Sequence, residues 1–410
     1  MRGDRLHIAI FGRRNAGKSS LINAMTGQPV AIVSDVPGTT TDPVFKSIEF
    51  QPIGPVVLID TAGIDDRDQG LGAERLRKAA AILEKSDMAL LVVDAAAAEF
   101  TYEDGLLEKF RRRSMPVLVV ANKIDRLRGR ASDWFRDKPC VRVSALNGSG
   151  MEELRRRILE VAPSQWEPPF LRDLVRPGDV VVLVVPIDTG APKGRLIMPQ
   201  VKALRDALDG GALPLSCRES ELSAALSSLR GHPALVVTDS QAFTQVAAAV
   251  PDAVPLTSFS ILSARQKGDL PSLVEGVLAV PRLRSGDRVL IAESCSHHPL
   301  QDDIGRVKLP RWLNEYVGGG LVIETVPGSA YPDDLSAYQL VVHCGACTLN
   351  RREMLRRQQL PAGAGVPMTN YGVLISYLKN VFPRALRPFP ELHARFENAV
   401  WPRGRGHGAD

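Results

Sequence analysis

Cysteine is scarce in this sequence, at five in 410 residues. So few thiols, so unevenly spread, exclude a disulfide framework. Aromatic residues are also sparse, at 5% of the chain. No apolar run approaches the ~18–20 residues that a membrane-crossing helix needs; the longest, at 180–186, has the length of a strand. There is no long basic run either. The formal net charge of +5 is dispersed, which is weak evidence for nucleic-acid binding. The first apolar run starts at residue 7, and this leaves no room for a signal or transit peptide. Thiols without a leader point to a reducing, cytoplasmic setting.

The remaining composition, 44% hydrophobic and 24% charged, is that of a globular protein. Its length exceeds one ordinary core and predicts two or three domains. Short apolar runs at 7–11, 56–60, 88–94, 117–122 and 141–144 read as strands. They alternate with turn chemistry and helical stretches such as 20–25 and 151–161, a pattern of βαβ units in a mostly parallel sheet. The proline-rich break Pro163-Ser164-Gln165-Trp166-Glu167-Pro168-Pro169 reads as a linker. Beyond it, strands are expected at 180–185 and 234–238, with helices at 200–208, 219–229 and 241–250. A helix between 268 and 281 leads into a third segment, with strands at 288–292, 321–324 and 340–343 and helices at 310–316, 351–359 and 373–381. The expected fold class is α/β: three consecutive α/β domains with mostly parallel sheets, the first a P-loop domain. The expected boundaries are 1–165, 170–265 and 266–400, with a disordered tail at 401–410.

The first domain carries the clearest chemistry. Gly12-Arg13-Arg14-Asn15-Ala16-Gly17-Lys18-Ser19 fits G-x-x-x-x-G-K-[ST] between a strand and a helix that begins near Ser20. In that context the loop N–H groups and helix N-terminus cradle phosphates, Lys18 reaches the β- and γ-phosphates, and the Ser19 hydroxyl binds Mg²⁺. Asp60-Thr61-Ala62-Gly63 ends the next strand, placing Asp60 to hold Mg²⁺ through water and the Gly63 N–H near the γ-phosphate. Asn122-Lys123-Ile124-Asp125 ends another strand. The Asp125 carboxylate can accept two hydrogen bonds from guanine N1–H and N2–H₂. Adenine lacks both donors, so ATP would leave that carboxylate unpaired. Ser144-Ala145-Leu146 reads as the loop that contacts the guanine oxygen. The set specifies GTP and GDP.

Pro37-Gly38-Thr39-Thr40-Thr41-Asp42 resembles the switch I segment of the translation-associated GTPase class that includes TrmE and Era. The resemblance implies that Thr40, within its threonine run, is the Mg²⁺ ligand that senses the γ-phosphate. It also implies that Asn15 helps bind K⁺, although a solvent-facing loop residue is the plainer alternative. After the DxxG glycine stands Ile64, where Ras-like enzymes carry a glutamine that orients water. Slow intrinsic hydrolysis, stimulated by K⁺, is the expectation.

The third segment contains Cys295-Ser296-His297 and, after a long interval, His343-Cys344-Gly345-Ala346-Cys347. Both clusters follow strands, so in a parallel sheet both lie on one edge. Three thiolates with nearby imidazoles suit Zn²⁺ or an iron–sulfur cluster. His297 and His343 are either ligands or hydrogen-bonding bystanders. His298 reads as solvent-facing, and Cys140 and Cys217 as small buried hydrophobes.

Over residues 5–395 the chain resembles the HydF family of [FeFe]-hydrogenase maturation GTPases. The likeness rests on the GTPase motifs followed by Cys-x-His and His-Cys-x-x-Cys. It extends to Thr40-Thr41-Asp42-Pro43-Val44, to 186–200, to the 258–270 stretch ending in Lys267-Gly268-Asp269-Leu270, to 303–308 and to Thr369-Asn370-Tyr371-Gly372-Val373. The resemblance implies a GTPase domain, a dimerisation domain that makes a homodimer, and a cluster domain. In it Cys295, Cys344 and Cys347 ligate a [4Fe-4S] cluster, with His297 and His343 as motif members. It further implies a scaffold that receives a diiron precursor made with the radical-SAM maturases HydE and HydG and passes it to the hydrogenase HydA, without nucleic-acid or membrane partners. Two rivals stay open. One is a ribosome- or RNA-associated GTPase with a structural zinc module, although no G-x-x-G clamp or aromatic–basic platform is visible. The other is a redox-sensing switch whose cluster gates hydrolysis.

Overall fold

The computed structural model describes residues 5–27, 44–61, 82–129, 131–163, 168–187, 196–294, 303–328, 331–332 and 334–400. The chain separates into two compact units, residues 2–166 and 167–410. Among the described residues no helix is long and apolar enough to cross a membrane.

The first unit is built on a six-stranded sheet of order β2-β3-β1-β4-β5-β6. Its strands are β1 (Leu6–Phe11), β2 (Val44–Phe50), β3 (Gly54–Asp60), β4 (Met88–Asp94), β5 (Val117–Asn122) and β6 (Cys140–Arg142). Every pairing is parallel except β2 with β3. The central strands are buried on both faces because helices cover both sides, which explains their unbroken apolar runs. Two apolar layers result, one of alternate residues such as Ile8, Leu58 and Val92, the other of Ala9, Ile59 and Val93. Three helices, Lys18–Thr26, Thr101–Arg112 and Met151–Val161, belong to these layers. The sequence patterning did not single out β2. It is an edge strand with four of seven residues exposed or nearly so, and lacks an apolar run.

The second unit holds two four-stranded, wholly parallel sheets. One has the order β10-β9-β7-β8, from β7 (Val180–Val184), β8 (Leu213–Cys217), β9 (Leu235–Thr238) and β10 (Leu256–Ser258). The other has the order β12-β11-β13-β14, from β11 (Arg288–Ala292), β12 (Val322–Val326), β13 (Leu340–His343) and β14 (Met368–Asn370). The two sheets share one topology. In each, the first strand lies between the second and the third, and the chain reverses its lateral direction there. Their apolar faces join in one continuous core that runs from Val182, Val236 and Phe243 to Leu290, Val342 and Phe382. Polar contacts stitch the same seam. Arg384 donates to the carbonyls of Val250 and Pro251 at 2.7 and 3.0 Å, and the Thr257 hydroxyl donates to Ala385 O at 3.0 Å.

Most helices fall where the patterning places them, among them Met198–Asp209, Leu309–Val317 and Arg351–Gly363. The 219–229 expectation divides into a 3₁₀ turn, Glu219–Glu221, and a short helix, Leu222–Ser227. The linker expectation at 163–169, the tail and His298 lie largely or wholly outside the described residues. Cys140 and Cys217 are half-buried rather than fully buried, and burial pushes both thiols up.

Candidate functional sites

The first site forms where β1 ends. Gly12 adopts φ 146°, and a Cβ there would meet Val92 O at 2.1 Å. Gly17 adopts φ 93°, and a Cβ there would stand 2.3 Å from the Asn122 amide nitrogen. Only glycine allows both approaches. With Gly17 out of the way, Asn122 donates to Ala16 O at 3.0 Å and accepts the Ala145 N–H at 3.0 Å. One buried amide thus ties the 12–17 loop, the end of β5 and the 144–145 loop together. Ser144 Oγ donates to the Asp125 carboxylate at 2.5 Å. Lys123, in a left-handed conformation with φ 63°, directs its ammonium to Asp94 at 2.8 Å. Burial pushes the Asp94 carboxyl up, but the bonds from Lys123 and the Ala96 N–H outweigh it and hold the group below the usual range.

Within the loop, Lys18 Nζ donates to the carbonyls of Gly12 and Arg13, at 2.5 and 3.0 Å. Ser19 Oγ donates to Asp60 Oδ2 at 2.9 Å. A hydroxyl beside a buried carboxylate at the mouth of a glycine loop is a donor set suited to a hard divalent cation. The loop N–H groups and the start of the helix Lys18–Thr26 can bind phosphate. Arg13 holds the loop's flank through Glu103, at 2.9 Å. Ser20 follows on the first turn of that helix. Asn15 is exposed and left-handed, with φ 60°. Thr40, Gly63 and Ile64, with the switch I segment 37–42, lie outside the described residues.

The second site lies at the carboxyl ends of β11 and β13. These strands pair in parallel with Ala292 opposite His343, so the residues that follow each strand are neighbours. Cys344 N–H bonds to Ala292 O at 2.9 Å. The Cys344 sulfur in turn receives the Ser294 N–H at 3.2 Å and meets the Ser294 hydroxyl at 3.1 Å. Burial raises the Cys344 thiol, but the adjacent His343 imidazole, Ser294 and the Ala346 N–H overcome this and lower it to about 6. His343 is fully buried. Its Nδ1 lies 2.8 Å from Cys344 O, and its Nε2 has no hydrogen-bond partner among the described residues. A proton on Nδ1 leaves a lone pair on Nε2, the state in which imidazole serves as a metal ligand.

Cys347 lies on the same loop, past the left-handed Ala346 at φ 54°. Cys295 follows directly on Ser294, and His297 two residues later; both lie outside the described residues. Among the described residues, no three His, Cys, Asp or Glu side chains are grouped to hold a metal ion. The described part thus brings His343, Cys344 and Cys347 into one loop and places the chain entering Cys295 against the Cys344 sulfur. Beside Ser294, the buried Glu293 accepts Arg306 at 3.0 Å and the Tyr371 hydroxyl at 3.5 Å.

Two basic residues that sequence reasoning passed over secure this loop. Lys267 is buried, and its ammonium donates to the carbonyls of Ala346, Cys347 and Leu349 at 2.9, 3.3 and 3.1 Å. Arg351 returns the favour, donating to the carbonyls of Arg265, Gln266 and Gly268 at 3.2, 2.6 and 2.8 Å. Those carbonyls close the helix Phe259–Lys267, whose last turn lacks intrahelical donors. The signal for Lys267 was present in the Lys-Gly-Asp-Leu stretch, where it carried no stated role. Arg351 sits in the helix expected at 351–359, where it carried no stated role.

Comparison with known proteins now bears on both sites. Residues 7–123 match the family described as 50S ribosome-binding GTPase. Residues 170–268 match the hydrogen maturase F dimerization domain, and residues 271–388 match the hydrogen maturase F tetramerization domain. The chain is 38% identical over 163 residues to the tRNA modification GTPase MnmE of Nitrosomonas europaea, covering 38% of this chain and 35% of that protein. It is 33% identical over 219 residues to the GTPase Der of Solidesulfovibrio magneticus, covering 49% and 48%. It therefore spans between about a third and half of these relatives. Among solved structures, the G domain of the T. maritima FeoB iron transporter is 27% identical, with a TM-score of 0.31, covering 38% of this chain and 98% of that one. The first domain is a GTPase domain. It is fused to two domains of the hydrogen maturase F kind, one described for dimerization and one for tetramerization.

Replacing Lys267 by methionine keeps the side chain's length but removes its bonds to three loop carbonyls, of which Ala346 O keeps the Leu349 N–H at 3.1 Å. Amide exchange across 346–350 is expected to accelerate by about tenfold or more, or ~1.4 kcal/mol of local opening. Unchanged exchange would show that the ammonium does not hold the loop.

Proposed function

We propose that this chain is a GTP-hydrolysing scaffold that binds a [4Fe-4S] cluster, accepts a diiron precursor from HydE and HydG, and delivers it to the [FeFe]-hydrogenase HydA. The reading is supported most by one observation: the sulfur of Cys344 is bonded by Ser294, the residue immediately before Cys295. It is also supported by the family matches over 170–388.

The donors present fit such a cluster. Cys344 is readily a thiolate, and His343 Nε2 is buried and unpartnered among the described residues. Cys295, Cys344 and Cys347 would hold the cluster, with His343 and His297 as further candidates. Three cysteines would leave one iron with an exchangeable position, which suits handing on a group. Lys267 and Arg351 would fix the loop's shape. The maturase-like domains favour an oligomer, a homodimer at the least.

In the GTPase domain, Lys18 and the N–H groups of Gly12, Asn15, Ala16, Gly17, Ser19 and Ser20 would bind the phosphates. Ser19, Asp60 and Thr40 would serve Mg²⁺, and the Gly63 N–H would meet the γ-phosphate. Asn122, Lys123, Asp125, Ser144 and Ala145 would read guanine. Catalysis there would be positioning and electrostatics. Ile64 offers no group to orient water, so hydrolysis would be slow unless Asn15 and K⁺ supply charge.

The test is purification without oxygen. The expected product is brown, with about four irons and four sulfides per chain, and Cys344→Ser loses most of both. A colourless protein with one zinc per chain would instead support the RNA-associated GTPase. Turnover is expected to be at least about tenfold faster in KCl than in NaCl, and Asn15→Ala is expected to erase the difference. Equal rates in the two salts would remove the K⁺ role.

A further inference from the structure

The helix Arg351–Gly363 carries Arg357, the largest fully buried side chain of the described residues. Its surroundings use only part of it. Nη1 donates to Gly328 O at 3.1 Å, and Cζ lies over the Tyr331 ring, 4.8 Å from its centroid. Nε and Nη2 are buried and have no hydrogen-bond partner among the described residues. These two nitrogens are one edge of the planar group. They present two parallel N–H bonds, the fork that matches the two oxygens of a carboxylate. A buried guanidinium with no carboxylate paired to it among the described residues is disfavoured, so an unused bidentate edge calls for an anion.

The place in the fold is also informative. Gly328 follows β12, whose last residue, Val326, accepts the Glu293 N–H at 2.9 Å. Arg357 therefore binds the chain at the same carboxyl edge of the sheet from which Ser294 and Cys344 emerge. That edge, where the strand order reverses between β11 and β13, is where open parallel sheets bind ligands. The buried carboxylates around it are engaged elsewhere: Glu293 by Arg306 and Tyr371, and Glu353, one turn earlier on the same helix, by Arg356.

We propose that the Nε–Nη2 edge of Arg357 is a binding site for a small carboxylate, held bidentate at the sheet edge beside Cys344. The site belongs to Arg357 itself. That its anion serves the cysteine loop rests on the iron–sulfur reading above.

The probe is formate, the smallest carboxylate, titrated against the full chain stripped of metal and followed by saturation-transfer NMR. Metal-stripped protein keeps the test independent of whether iron binds. The wild type is expected to give a saturable formate signal that nitrate, another planar oxyanion, competes away. Arg357→Lys keeps the charge but not the fork, and is expected to weaken formate by about tenfold or more. Arg357→Gln is expected to abolish the signal. Circular dichroism on both variants checks that the fold survives. A wild-type protein without a saturable formate signal overturns the proposal, as does a folded Arg357→Lys variant that binds formate as tightly as the wild type.

Discussion

The second half of this protein depends on a sulfur that accepts hydrogen bonds from across a strand boundary. Ser294 gives its N–H to Cys344 and sets its hydroxyl against the same atom. This is possible only because β11 and β13 run parallel side by side, in a register that ends both at one level. A slip of one residue would turn His343 and Cys344 to opposite faces and break the pairing. The continuous core beneath, through Leu290, Ile291, Val341 and Val342, holds that register. The chemistry of the loop therefore follows from the packing of apolar residues that never touch it.

The same geometry recurs along the chain. In the first and third sheets the chain reverses its lateral direction, beside β1 (between β3 and β4) and beside β11 (between β12 and β13), and the loops leaving those points carry the reactive groups. After β1 the loop is rich in glycine, and N–H groups and Lys18 collect there, which favours phosphate. After β11 and β13 the loops bring thiols and an imidazole, which favour a soft metal. Basic side chains serve as internal braces in both places. Lys267 and Arg351 bind backbone carbonyls, and Arg13 binds the buried Glu103. Each brace supplies donors to acceptors in partly or fully buried places.

The strands buried on both faces were legible because their apolar runs are continuous, as at Met88–Asp94 and Val180–Val184. The glycine loop was legible because its spacing answers to sterics, now visible at Gly12 and Gly17. Other elements were not. β8 contains Pro214, which argues against a central strand, and it proves to be an edge. β10 and β14 have three residues each, too few for any period to declare itself. Arg357 could not be separated from Arg351, Arg352 and Arg356, because burial of one arginine among several is a property of the tertiary packing. Ser294 carried no motif, and its role arises from the strand register. Cys295, His297 and Thr40 were read from motifs alone.

The most direct test concerns the meeting of the two cysteine stretches. Dibromobimane bridges only thiols that approach within a few ångströms, and it can be applied to the metal-free chain with peptide mapping. The expected product is a fluorescent cross-link joining the peptide of Cys295 to that of Cys344 or Cys347. If Cys295 is only ever labelled singly, while Cys344 and Cys347 link to one another, the two stretches do not form a common site.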